Sequence, residues 1–198
     1  MVTFKSNTPR PQNNYKFNSI PPPIQFERAE WPKDKDDAMV STFKLRTNPT
    51  EVDSQVYELK VRTFQMGTAE QFIIWKRDLE KVLNGQNVTG STEKFAMARR
   101  LLDGDALAAF NKEATTLRAE SNVNFGKSLQ ALAKHVFPKY ALATQKQWFR
   151  RSVHKKPGLR TREWLARLTE INEMLPEFPP NFNDAQKIPE DELKDIVE

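Results

Sequence analysis

The sequence contains no cysteine and only two histidines, His135 and His154, among 198 residues. Without cysteine there is no disulfide framework, no thiolate catalysis and no cysteine-containing zinc site, and the chain fits a reducing compartment. Two isolated histidines fall short of the ligand set a zinc ion takes, and neither has a serine or carboxylate spaced for a catalytic relay. No run comes near the roughly 20 apolar residues that span a bilayer, and the N-terminus has no signal-type apolar stretch. A soluble, cytoplasmic protein without a membrane partner is expected, and Asn87-Val88-Thr89, a sequon in form, is read as loop chemistry. Gly85 and Gly90 have the spacing of a phosphate-binding loop, but the lysine that should follow is missing and the loop follows a helical pattern. It is read as a connection between helices. The acids after Pro189 lack the alternating ligands of a calcium loop. No constellation supports catalysis, a cofactor or a small-molecule substrate, so a non-enzymatic protein is expected.

What is present is unevenly placed. Residues 1–38 hold six of the thirteen prolines, including Pro21-Pro22-Pro23, with no hydrophobic period. They read as a disordered arm, since such a composition buries too little apolar surface to offset chain entropy. The net charge of +5 hides two blocks: residues 121–162 carry ten Lys/Arg and no acid, whereas residues 163–198 carry ten acids against three bases. Such blocks attract, either within the chain or between copies head to tail.

Two strand-like runs, Val40–Arg46 and Val56–Phe64, flank the turn-rich "TNPTEVDS", which predicts a β-hairpin within 39–66 that needs a partner surface. The remainder is helical. Thr68 and Gln71 form a capping box ahead of a helix in which Phe72, Trp75, Leu79, Val82 and Leu83 recur at helical spacing until Asn84-Gly85. A second helix is expected near Glu93–Leu102 and a third at Ala106–Thr115, with Gly104 in a left-handed cap and Asp105 as the new N-cap. Phe125, Leu129, Leu132, Val136 and Phe137 make a further stripe closed by Pro138, and residues 141–153 another helix through Trp148. Lys155-Lys156-Pro157-Gly158 is the strongest break, where a boundary is placed. Beyond it Thr161 is expected to cap a helix with Trp164, Leu168, Ile171 and Leu175 in line, and Pro189 to open a last, acidic helix that is cut off at Glu198. The expected core includes Trp75, Leu79, Leu101, Phe110, Phe137, Trp148, Trp164 and Leu168.

The stretch "KQWFRRSVHKKPGLRTR", residues 146–162, sets Trp148 and Phe149 beside seven cations. Aromatics among cations suit stacking on a single-stranded nucleic acid, yet a tryptophan in a helix also suits a core with a solvated edge. Trp148 is placed in the core. Arg150, Arg151, Lys155, Lys156, Arg160 and Arg162 are the candidate contacts to RNA or another polyanion, acting by charge and without sequence preference.

In order along the chain, "QVYELKVRTFQMGTAEQFIIWKRDLEKVLNGQN", "KFAMARRLLDGDALAAF", "ALAKHVFPKYALATQKQWFRR", "KKPGLRTREWLARLTEINEMLPEFP" and "IPEDELKDIVE" resemble the Gag capsid region of gypsy-class LTR retrotransposons. The resemblance spans roughly Gln55–Glu198, with Arg167-x-x-Glu170-x-Asn172 and the following Leu175-Pro176 and Phe178-Pro179 its most telling part. It implies a mostly α, two-lobed capsid protein, with an N-terminal lobe at 67–156 and the start of a C-terminal lobe at 157–198. It also implies copies that self-assemble into cytoplasmic virus-like particles around RNA. The zinc knuckle common after such regions needs cysteines that this chain lacks. The alternative from the charge pattern is a sequence-independent nucleic-acid-binding adaptor using residues 121–162.

Overall fold

The computed structural model describes residues 21–31 and 39–196, and among these it is mostly helical, with one short hairpin ahead of the helices. Strands β1 (Val40–Arg46) and β2 (Val56–Arg62) pair antiparallel, with Phe43 opposite Leu59 and Leu45 opposite Tyr57. Their alternation turns Phe43, Leu45 and Val61 inward. The partner surface the hairpin needs is α1 (Ala69–Gly85). The end of α1 comes so close that a Cβ on Gly85 would lie 3.0 Å from the Leu45 Cβ. Thr68 accepts from the Gln71 N–H and the Gln71 side chain accepts in return from the Thr68 N–H, the capping box expected from the sequence.

Four more long helices follow: α2 (Ser91–Arg100), α3 (Gly104–Leu117), α4 (Asn122–Val136) and α5 (Ala141–Arg151). Gly104 does adopt a left-handed conformation, φ +53°, but it is the first residue of α3 and the cap is Asp103, not Asp105. The reason is a second set of partners: the backbone of Phe64 brackets this corner, donating to Leu101 and accepting from Asp103. Then come α6 (Thr161–Asn172), two short 3-10 turns at Leu175–Glu177 and Asp184–Gln186, and α7 (Glu190–Asp195). Thr161 is the first helical residue rather than a cap, and Pro189 sits one position ahead of the helix it was expected to begin.

Two aromatic clusters organise the interior. Phe95, Phe110 and Phe125 bring α2, α3 and α4 together, with ring centroids 5.4 to 6.4 Å apart. Phe64, Phe72 and Trp75 join the hairpin exit to α1, and Phe137 links Phe72 to Phe178 at 4.7 Å. That last contact ties the segment beyond the 155–158 break to the core built before it. Trp164, Leu168, Ile171, Met174, Leu175 and Phe178 belong to the same buried cluster as Trp75, Leu79, Leu101, Phe110 and Phe137. The break at 155–158 is a real loop, but the core runs across it. Proline and glycine report where a chain bends, not which hydrophobic face it later covers.

A second correction concerns α5. Its buried face is Ala141, Gln145 and Phe149, and Trp148 is half-buried at the edge of the core, its ring edge-on to Phe149 at 5.2 Å. Adjacent aromatics one helical step apart, about 100° around the axis, do not both face inward, and here Phe149 takes the interior.

The third correction concerns the N-terminal arm. Residues 1–20 and 32–38 lie outside the described residues, but Pro21–Trp31 is packed as a strap across α5, α6 and α1. Ile24 is fully buried. Composition missed this because the strap's order comes from side chains of distant helices that satisfy its backbone. Removing residues 1–31 is therefore expected to lower the melting temperature, and Ile24→Ala alone to cost about 2–4 kcal/mol in a thermal or urea melt. A trimmed chain that melts unchanged would return the strap to the status of a bystander.

Candidate functional site

The basic block forms the outer face of α5 and the loop that leads into α6. All six sequence-identified cations are exposed there, but they do not stand alike. Arg150 donates to Glu192 of α7 at 2.5 Å, Lys156 pairs with Glu27 of the strap, and Lys155 reaches the Leu159 carbonyl. The side chains of Arg151, Arg160 and Arg162 have no hydrogen-bond or ion-pair partner among the described residues. The acidic segment thus meets the basic block within the chain, at least through Glu192. Arg150 holds the Glu192 carboxyl below the usual glutamate range, and Lys156 does the same to Glu27. Both pairs are solvent-exposed, so their contribution is small and fades with salt.

Stacking partners are sparse on this face. Trp148 offers one edge, and Tyr140, 70% exposed with Lys139 over its ring at 4.9 Å, stands at the start of α5. This arrangement can hold a polyanion by charge; it has no row of rings on which successive bases would stack. His135 and His154 are exposed, and no group of acids and histidines able to hold a metal ion occurs among the described residues. The Gly85–Gly90 segment is the connection between α1 and α2.

The most elaborately built polar region lies under the strap, and residue-type reasoning did not locate it. Gln145, fully buried on α5, holds Ile24 by both its backbone groups: the Ile24 N–H donates to Oε1 at 2.9 Å and Nε2 donates to the Ile24 carbonyl at 3.1 Å. Arg167, 4% exposed on α6, donates to the carbonyls of Phe26 and Gln25, both at 2.8 Å. The same guanidinium lies 2.7 Å from the buried Glu70 carboxylate of α1, whose other oxygen accepts from the Ala29 N–H at 2.9 Å. Gln71 donates to the Glu30 carbonyl. At the rim Glu170 takes Arg28 at 2.6 Å and Arg167 at 3.1 Å. Burial works against the charged form of Glu170, but the two guanidiniums outweigh it and hold its carboxyl below the usual range. Because a depressed carboxyl stabilises above its unfolded pKa and loses that contribution as pH falls through the folded value, the Glu170 contribution to strap seating is lost toward acid.

This region also gives the Arg167-x-x-Glu170-x-Asn172 motif a physical reading. Arg167 and Glu170 grip the segment that precedes the helices, while Asn172 grips the segment that follows, donating to the Ile188 carbonyl at 2.9 Å and accepting from its N–H at 2.8 Å. One helix thus fastens two irregular segments by their backbones. Gln186 repeats the device, donating to the carbonyls of Leu175 and Phe178. Elsewhere Lys76, although largely buried, is held charged by Glu177 at 2.6 Å and Glu80 at 3.0 Å, fastening the first 3-10 turn to α1. No helix among the described residues is long and apolar enough to cross a membrane. No family model, curated protein or solved structure matches the chain.

Proposed function

We propose that this chain is a structural capsid protein of the retrotransposon Gag type, whose copies assemble into a cytoplasmic particle enclosing RNA. The observation that carries the reading is the ordered set of sequence motifs together with where they fall. Trp75 and Leu79 fall on α1, Leu101–Phe110 on the α2–α3 corner, and Trp164, Arg167, Glu170 and Asn172 on α6. Trp75, Leu79, Leu101, Leu102, Phe110, Trp164 and Leu168 are buried, so these motif residues specify a helical body and leave its outer faces for contacts between copies. Purified protein at assembly-promoting concentration and salt is expected to form particles visible by negative-stain electron microscopy. A chain that stays monomeric under all such conditions, while folded, would remove this reading.

A nucleic-acid-binding adaptor that does not assemble is the second reading, and the exposed, unpartnered Arg151, Arg160 and Arg162 favour it. Both readings predict weak, sequence-indifferent RNA binding whose logarithm falls linearly with the logarithm of salt. Reversing these three arginines to glutamate is expected to remove most binding and to leave the melting temperature unchanged. Arg150 is a poorer choice, because Arg150→Glu would face Glu192. Affinity that is flat in salt, or that depends on sequence, would exclude a purely electrostatic contact. Particle formation then separates the capsid from the adaptor.

A further inference from the structure

We infer that the cleft between α1, α5 and α6 is a peptide-recognition groove, and that its occupant can be the Pro21–Trp31 strap of a second copy, so that copies link by exchanging straps. The argument starts from how the strap is held. Gln145, Arg167, Glu70 and Gln71 are each at least nine-tenths buried, and each addresses the backbone of the strap. Buried polar side chains that satisfy the main chain of an irregular segment, with one pocket for an apolar anchor, act as peptide-binding clefts do: the backbone bonds supply affinity and the pocket supplies selectivity. The anchor here is Ile24, and the three prolines ahead of it, each with its φ fixed by the ring, leave that stretch little backbone entropy to lose.

Nothing in these contacts distinguishes the strap of the same chain from that of another, because every bond is made to a peptide that reaches the groove from outside the helical body. Of the strap's side chains only Ile24 is fully buried, and an open cleft of about 770 Å³ runs between Glu27–Glu30 and Lys156–Leu159. The strap can therefore leave without dismantling either aromatic cluster. Trp31 and Met39 are eight positions apart, which limits an exchanged strap to about 30 Å from its own β1. Exchange of an identical element between copies preserves every contact while joining two chains, and is a low-cost route to association. The inference does not rest on particle formation, since a strap-exchanged pair is complete by itself.

The absence of cysteine makes a direct test available. A chain carrying Glu27→Cys and a chain carrying Lys156→Cys, distinguishable by size, are equilibrated together at high concentration and treated with a short bis-maleimide. These two residues are exposed partners, so neither substitution disturbs the core. A covalent heterodimer is expected. It should fall by about tenfold or more when the first chain also carries Ile24→Asp, or the second Gln145→Ala, because each removes a buried contact. An excess of free peptide spanning residues 20–31 should suppress it. The Arg28→Cys and Glu170→Cys pair repeats the measurement at a second point of contact. A single chain carrying both thiols that bridges only within itself, with no heterodimer, would overturn exchange. Heterodimer indifferent to Ile24→Asp would show chance encounter, and no bridge at either pair would empty the groove; both overturn the inference. Electron microscopy of the same samples reads particle formation separately.

Discussion

Replacing Arg167 with alanine is expected to lower the free energy of unfolding by about 3–5 kcal/mol in urea denaturation. The guanidinium is 4% exposed and serves two carboxylates and two carbonyls at once. Its removal leaves the Glu70 carboxylate, 2% exposed at its side chain, without a countercharge in the interior. It also leaves the Gln25 and Phe26 carbonyls without donors, so the strap should loosen along with the bundle. Arg167→Lys should rescue little, because one ammonium on a flexible stem cannot reproduce a planar fork that points at Glu70 and at two carbonyls together. Pairing Arg167→Met with Glu70→Gln should recover part of the loss, since the double change removes the buried charge as well as its partner. A loss below about 1 kcal/mol for Arg167→Ala would mean that water reaches this pair and that Ile24 alone holds the strap.

The other large effect is expected at Trp75. Trp75→Ala should cost about 3–5 kcal/mol, and Trp148→Ala no more than about half of that. Trp75 is 1% exposed, lies 5.7 Å from Phe64 and 6.0 Å from Phe72 between ring centroids, and donates its indole N–H to the Leu101 carbonyl at 2.9 Å. The loss is mainly a cavity, because the Leu101 carbonyl keeps the Phe64 N–H as a partner. Trp148, half-buried against Phe149, vacates space that solvent can fill. Urea denaturation of the two variants side by side measures the contrast. Equal losses would place Trp148 in the core after all, and a larger loss at Trp148 would invert the assignment of the α5 face.

Local rules served well where the deciding interaction is short-range. The capping box at Thr68 and Gln71, the stripe through Trp75 and Leu79, the hairpin around the turn-rich 47–54 stretch and the left-handed Gly104 involve residues within a few positions of each other. Of the expected core, Trp75, Leu79, Leu101, Phe110, Phe137, Trp164 and Leu168 are all buried. Trp148 was misplaced because Phe149 beside it makes two helix faces equally apolar, and only the position of α5 in the bundle chooses between them. The groove was harder to see. Glu70, Gln145 and Arg167 are polar residues on otherwise amphipathic helices, and polarity usually marks a solvated face. A periodicity argument could have raised Gln145, which shares the face of Ala141 and Phe149, but not its partner 121 positions away.

The sequence by itself determined that the chain is mostly helical behind a hairpin, where most of its helices start and stop, and that its charges divide into a basic and an acidic block. Those follow from capping, side-chain period and composition, which act over one or two turns of helix. Only the tertiary structure decided that the segment after α6 meets the end of α4 through Phe178 and Phe137, that Glu192 meets Arg150 within the chain, and that a proline-rich segment is fastened by Gln145, Arg167, Glu70 and Gln71. Each of these pairs residues far apart in the chain. Their free energy depends on desolvation and on geometry that exist only once the helices have packed, and no local propensity encodes either.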